Sequence, residues 1–82
     1  MKIALSLDVP DLAAGLAFYG AVFGFREVAR PYNRLMLIEA EGQSILLTER
    51  AAGTMPFADA TEGRRYARHW TPVHLDFHIP DV

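Results

Sequence analysis

Leu5-Ser6-Leu7-Asp8-Val9-Pro10-Asp11-Leu12 is the stretch that decides the fold of this chain of 82 residues. Apolar and polar side chains alternate from Ile3 to Val9, which is the period of a strand with one apolar face. Pro10 ends this strand, and Asp11 suits an N-cap because its carboxylate accepts from a free N–H group of the first helical turn. The stretch therefore predicts a strand that leads directly into a helix.

The helix is predicted over residues 11–23, where apolar side chains recur at helical spacing. Gly24 fits the left-handed position that closes a helix. Gly15 and Gly20 lie inside the helix, where small residues permit close approach of a sheet or a neighbouring helix. The apolar stripe consists of Leu12, Leu16, Tyr19 and Phe23, and it is widened by Phe18 and Val22.

Three further strands are predicted, joined by short turns. They cover residues 25–30, 34–40 and 45–48; we expect Pro31 to stop the first, and Glu41-Gly42 is a tight hairpin signal between the other two. Residues 50–72 follow as a loop or linker, in which residues 62–69 can form a short helix. Residues 1–49 thus give the order strand, helix and three strands.

The end of the chain repeats its beginning. Leu75 to Val82 lies over Leu5 to Leu12 at a constant offset of 70 residues, with Leu, Pro and Asp recurring identically and apolar residues replacing apolar ones. Residues 73–79 return to strict alternation and predict a strand. We therefore expect residues 73–82 to be the opening strand of an incomplete second module; a coincidence between two ordinary strand ends is the alternative.

The composition limits the classes of function. The chain is 51% hydrophobic, has no cysteine and carries a formal net charge of −2. This composition predicts a small folded domain without disulfides, thiolate nucleophiles or cysteine metal sites. The net charge predicts no general attraction to nucleic acid. The N-terminal apolar run is too short for a signal peptide, and no stretch is long enough to span a bilayer. We expect a soluble cytoplasmic protein without nucleic-acid or membrane partners.

Three motifs at the junctions of these elements carry a family resemblance. A strand ends in Val9-Pro10-Asp11-Leu12, the helix carries Phe18-Tyr19, and Val22-Phe23-Gly24-Phe25 enters the next strand. This arrangement resembles the vicinal oxygen chelate superfamily, which includes glyoxalases, bleomycin- and fosfomycin-resistance proteins and extradiol dioxygenases. Residues 42–49 fit the last strand of that family's βαβββ module, and residue 73 onward fits the first strand of a second module.

The resemblance implies an α+β fold: one βαβββ module plus the first strand of a second, with a curved mixed sheet and the helix on its convex face. It covers nearly the whole chain. Because the superfamily hosts many chemistries, the motifs indicate the fold more specifically than any one activity.

The resemblance also implies a metal ligand. In the metal-dependent members, a His on the first strand of a module, seven residues before the Asp of the strand-end motif, binds a divalent ion. That position is Ala4 in the first module and His74 in the second copy. Alternation places Asp76 and His78 on the same strand face, but the three span about 13 Å, so at most two of them ligate one ion. The polar side of an edge strand is the alternative interpretation.

The other ligands that the family uses are missing or displaced. A Glu is expected on the last strand of a module, where this chain has Leu46. Glu49 lies three residues on and so on the opposite face, whereas Glu39 on the preceding strand can face the cavity; surface solvation is the expected fate of both. The ligand-pocket candidates are Ser6, Arg68, Trp70, Asp76 and His78.

Residues 64–70, Arg-Arg-Tyr-Ala-Arg-His-Trp, form a basic and aromatic cluster. The favoured interpretation is a short helix in which Tyr66 and Trp70, at i and i+4, pack on the sheet while the arginines stay in water. A lid that attracts an anionic ligand and stacks on it is the second interpretation. Binding of single-stranded nucleic acid is the third, and the net negative charge argues against it.

These patterns leave three functions open. The first is a small-molecule binder of the resistance-protein type, acting as a homodimer whose chains pair or exchange strand 73–79. The second is a metal-dependent lyase or dioxygenase, with one divalent ion, His74 among its ligands and a site shared between modules or subunits. The third is a piece of a longer enzyme without activity of its own.

Overall fold

A computed structural model describes residues 1–80 of the chain. Its elements follow the predicted order: β1 (Ser6–Val9), α1 (Leu12–Phe23), β2 (Arg26–Tyr32), β3 (Leu35–Ala40) and β4 (Gln43–Glu49). The strands form one sheet in the order β1-β4-β3-β2, with β1 parallel to β4 and the other neighbours antiparallel. The predicted α+β class, with one helix packed against a mixed sheet, is confirmed.

The helix begins and ends at the predicted caps. The Asp11 carboxylate accepts a hydrogen bond from Ala14 N at 3.1 Å, and Gly24 closes the helix with φ 77°. A second carboxylate also binds the first turn, because Leu12 N donates to Glu49 Oε2 at 3.1 Å. The expectation that Glu49 is solvated at the surface is therefore wrong. Its half-buried side chain satisfies a free N–H group of the helix and fastens the start of α1 to the end of β4.

The core is a single layer between α1 and one face of the sheet. The predicted helical stripe packs against it, but Phe18 and Val22 are each 54% exposed, so they do not widen the stripe. Gly15 permits the predicted close approach, since a Cβ atom there would lie 3.3 Å from Leu47 Cδ1. The buried side chains are those of Leu12, Phe25, Met36, Ile38, Ile45 and Leu47.

The two predicted turns between the antiparallel strands differ in outcome. Glu41 and Gly42 both have positive φ angles, 50° and 75°, which is the geometry of a two-residue hairpin between β3 and β4. Pro31, in contrast, does not stop β2, which runs on to Tyr32. An edge strand tolerates proline because its outward N–H has no partner to lose, and the β2–β3 register is irregular at this point.

Residues 50–80 contain no helix and no strand. The short helix over 62–69 and the strand over 73–79 are therefore not formed in this chain. Alternation gives a segment strand propensity, but a strand also needs a neighbour to complete its hydrogen bonds. Instead, the Phe77 ring stacks on Phe23 at a centroid distance of 4.0 Å, which holds this segment against the end of α1.

Two sequence expectations lie beyond what the fold tests. Asp81 and Val82, which carry the second helix-cap signal, lie outside the described residues, and the assignment of 73–82 to a second module stays a prediction. Within residues 1–80, no helix has the length and apolar character needed to cross a membrane, α1 having 12 residues.

Candidate functional site

The sheet has one face that α1 does not cover, here called the open face. Paired residues share a face, so the registers Ser6–Leu46–Leu37 and Asp8–Thr48–Leu35 place all six side chains on it. Leu35, Leu37 and Leu46 form a half-buried apolar strip there, and Glu39 opposite Ser44 continues the same face. Glu39 is half-buried on the face away from the helix, beside the apolar strip, and it lines none of the cavities described below.

A loop with a closed neck stands at the β1 end of this face. Residues 54–63, here called the 54–63 loop, are bracketed by two backbone hydrogen bonds, from Gly53 N to Arg64 O at 2.7 Å and from Arg64 N to Thr54 O at 2.8 Å. Gly63 lies so close to Gly53 that a Cβ atom on it would approach the Gly53 carbonyl oxygen to 2.6 Å. Such compact loops with adjacent ends are frequently functional.

Arg64 fastens this neck to the sheet. Its Nε donates to Asp8 Oδ2 at 2.8 Å, and its Nη1 donates to Met55 O at 3.0 Å and to Thr54 Oγ1 at 3.3 Å. The arginine side chain is 18% exposed, compared with 42% for Asp8. Charge-assisted bonds that link three segments fix a loop far better than a single exposed ion pair does. The 54–63 loop is therefore held at β1 by contacts within the chain.

A cavity of about 550 Å³ lies between this loop, Asp8 and residues 64–71. This volume is within the range of small-molecule sites, about 300–1,000 Å³. Pro56, Phe57 and Ala60 contribute apolar wall, whereas the polar lining includes Asp8, Glu62, Arg64, Arg65, Tyr66 and His69. The lining is therefore mainly polar and charged, with a smaller apolar wall.

Two further side chains of the cavity have defined roles. The Tyr66 hydroxyl donates to Arg50 O at 2.7 Å. Burial raises the pKa of this hydroxyl, the Asp8 carboxylate adds to the rise, and Arg64 and Arg50 oppose it, so Tyr66 is a neutral donor at pH 7. His69 Nδ1 lies 2.7 Å from Ala67 O. In a neutral His69 this bond requires the proton on Nδ1, which leaves Nε2 as an acceptor.

The favoured interpretation of the 64–70 cluster is wrong in its details. Residues 64–70 form no helix, Trp70 is 80% exposed, and it is Arg64 that packs inward against Asp8. The i, i+4 spacing of Tyr66 and Trp70 is meaningful only within a helix, and the neck bonds of Arg64 hold the backbone in another conformation.

The structure distributes the ligand candidates over three places. Ser6 lies on the open face, exposed. Arg68, Trp70 and His74 line one cavity of about 370 Å³. Asp76 and His78 line another of about 540 Å³, next to Leu5 and Phe23. Because residues 73–79 form no strand, the periodicity that placed His74, Asp76 and His78 side by side does not apply.

The described residues do not fit a complete metal site within one chain. Among residues 1–80, no three His, Asp or Glu side chains converge as metal ligands. Ala4, at the position equivalent to His74, has no ligating group. A metal bound through His74 would therefore need ligands that one described chain does not bring together.

No local sequence pattern distinguishes Asp8, and Arg64 stands out only as one member of the basic and aromatic cluster of residues 64–70. Their contact joins positions 56 residues apart, so no local pattern reports it. The signal that does exist is the pair Gly53 and Gly63 around Pro56, which marks a loop with a narrow neck.

When the chain is compared with protein-family models, curated proteins and solved structures, it matches none of them.

We expect Arg64→Gln to open the 54–63 loop and to speed chymotrypsin cleavage after Phe57 about fivefold, which corresponds to about 1 kcal/mol of lost hydrogen bonding. Phe57 is accessible to the protease, at 66% exposed. Arg65→Gln is the matched control, because the neighbouring Arg65 makes no hydrogen bond or ion pair to any of residues 1–80. Equal cleavage rates in the two variants would show that Arg64 does not hold the loop.

Proposed function

We propose that this protein is a cytoplasmic small-molecule-binding protein of the glyoxalase and bleomycin-resistance kind, which acts as a homodimer without catalysing a reaction. The ligand is held in the cavity between Asp8 and the 54–63 loop. The single observation that carries the proposal is that this loop is pinned to β1 by Arg64 around a cavity of about 550 Å³. The confirmed α+β order agrees with the family resemblance, which stays part of the proposal.

A preformed pocket favours binding because the loop need not be ordered when the ligand arrives. Immobilising a flexible loop costs conformational entropy, which subtracts from affinity. Here the two neck bonds and the Gly53–Gly63 contact already fix the loop. The apolar wall can then contribute affinity while the polar groups orient the ligand.

The dimer is proposed from the difference between the two edges of the sheet. β2 carries Pro31 and an irregular register, both of which discourage pairing with another strand. β1 has neither. Leu46 N donates to Leu5 O and Arg50 N donates to Val9 O. The backbone N–H and C=O groups of the odd-numbered residues of β1 therefore point toward β4. The backbone groups of Ser6 and Asp8 therefore point outward in a parallel ladder, ready for another strand.

The partner proposed for this edge is residues 73–79 of a second copy. This segment has the alternation of a strand, is exposed throughout, and pairs with no strand of its own chain. Reciprocal pairing of the two segments gives a closed, two-fold dimer. The second copy also brings more surface to the apolar strip of the open face, which α1 leaves uncovered.

The alternative is a metal-dependent lyase or dioxygenase with a site shared between modules or subunits. His74 is the residue that the family resemblance selects, and pairing of residues 73–79 would bring it toward another chain. It is ranked second because one described chain assembles no set of three ligands.

Metal content separates the two functions. We expect purified protein to hold well under one equivalent of Mn²⁺, Ni²⁺ or Zn²⁺ after dialysis, with no change in His74→Ala. The measurement is elemental analysis of both proteins, with His69→Ala as the control imidazole. One equivalent of metal that disappears only in His74→Ala would favour the enzyme.

We expect Ala60→Phe to reduce binding of the neutral fluorophore N-phenyl-1-naphthylamine about tenfold, because a ring then occupies part of the cavity. Ala60 is a half-buried wall residue. Ala58→Phe is the control, since Ala58 is exposed and does not line the cavity. Fluorescence titration measures both. Absence of binding to the unmodified protein, or equal loss in both variants, would refute the proposed pocket.

The proposed pairing along the outer edge of β1 is tested by removing one backbone N–H group from that edge. We expect Ser6→Pro to weaken the dimer about tenfold, because a lost hydrogen bond that leaves its partner unsatisfied costs roughly 1–3 kcal/mol. Ser6→Ala is the control, since it changes the side chain and keeps the N–H group. Sedimentation velocity over a concentration series measures both, with circular dichroism to verify the fold. A folded protein that stays monomeric at every concentration would contradict the dimer.

A further inference from the structure

The cavity beneath the 54–63 loop holds four charged side chains, and two of them neutralise each other. Asp8 and Arg64 form the ion pair at 2.8 Å, and the Nη1 of Arg64 binds Met55 O and Thr54 Oγ1. Arg64 is thus occupied in holding the loop. A ligand that took Asp8 or Arg64 as its partner would have to break the contact that forms its own site.

The other two charges have no partner among the described residues. Arg65 and Glu62 both line the cavity, and neither forms a hydrogen bond or an ion pair with any of residues 1–80. They lie on either side of the pinned Gly63-Arg64 segment in the sequence, and are anchored by it. The cavity therefore offers one free guanidinium and one free carboxylate.

Each free group selects a complementary group on the ligand. A guanidinium presents N–H donors in a planar fork that matches a carboxylate. A carboxylate accepts from an ammonium group. A ligand with only one charge would meet one favourable and one unfavourable side chain, so the pair favours a molecule that carries both charges.

The apolar wall of the cavity selects the rest of the ligand. Phe57 and Pro56 line the cavity, and Phe57 is 66% exposed, so its ring offers a surface on which an apolar group can pack. We propose that the cavity binds a small zwitterion with an apolar side chain, that is, an α-amino acid or a molecule with the same headgroup. This inference rests on the proposed function, since it names the ligand class of that same pocket.

The test compares three probes of nearly equal size: L-phenylalanine, which carries both charges, 3-phenylpropanoate, which carries only the carboxylate, and 2-phenylethylamine, which carries only the ammonium group. Binding is measured by ¹H–¹⁵N chemical-shift titration of the full chain. We expect L-phenylalanine to bind about fivefold more tightly than either singly charged probe, the upper end for exposed ion pairs. Shifts are expected at residues 56–66.

Two variants test which side chain binds which charged group of the ligand. Glu62→Gln should remove the preference of the cavity for L-phenylalanine over 3-phenylpropanoate. It should not lower the affinity for 3-phenylpropanoate. Arg65→Gln should weaken both carboxylate probes and spare 2-phenylethylamine. Arg30→Gln is the control, because Arg30 pairs with Glu27 on β2, outside the cavity. An equal loss of affinity for all three probes in all three variants would contradict these roles of Glu62 and Arg65.

The failures of the two proposals are distinguishable. One result is that N-phenyl-1-naphthylamine binds, Ala60→Phe weakens that binding, and L-phenylalanine binds no more tightly than the singly charged probes. The proposed pocket then stands and the zwitterion proposal is wrong. If L-phenylalanine keeps its advantage in Glu62→Gln, the ammonium partner is wrong and the inference falls. If neither the fluorophore nor any of the three probes binds, both proposals fall.

Discussion

A four-stranded sheet has two faces, and the one helix among residues 1–80 packs on only one of them. Met36, Ile38 and Leu47 are fully buried beneath α1, whereas Leu37 and Leu46, one residue away along the same strands, stay half-buried on the open face. Apolar area that remains in water forgoes about 25 cal/mol per Å² of burial. The described residues beyond β4 form no helix or strand to cover that face. The neck of the 54–63 loop is fastened to Asp8 on this uncovered side, and the proposed dimer would bring a second copy to the same side.

The parts of the fold that could be predicted are those whose signals are local. Pro10-Asp11 marks the start of α1, Gly24 marks its end, and Glu41-Gly42 marks the β3–β4 hairpin, each within a few residues. The expectation that Pro31 ends β2 is wrong because the effect of a proline depends on which neighbours its strand has. The residue would interrupt a central strand, but it lies in β2 at the edge of the sheet. The order of strands in a sheet is set by contacts between distant segments. The sequence around Pro31 therefore does not indicate whether its strand lies at the edge or in the centre.

Most of the candidate site could not be predicted, for the same physical reason. Arg64 lies 56 residues from Asp8, and neither is distinguished by its immediate neighbours. The local pattern of Tyr66 and Trp70 favoured a helix, but the backbone groups of Gly53, Thr54 and Arg64 are satisfied by each other across the loop neck. Periodicity failed again at His74, Asp76 and His78. It places side chains on a common face only after a strand has formed, and that strand requires a partner.

In the proposed site, the Asp8–Arg64 pair holds the loop, and the side chains of Glu62 and Arg65 are left to contact a ligand. A single exposed ion pair contributes at most about 1 kcal/mol, but this one acts together with two neck bonds and a glycine contact that admits no side chain. Since the pair compensates its own charges, the cavity is left with the charges of Glu62 and Arg65, which flank the pinned segment. In the proposed site, a change at either flanking residue would alter the ligand preference of the cavity and leave the neck bonds of the loop in place. A change at Arg64 would remove the contacts that hold the loop at β1, and with them the support for both flanking charges.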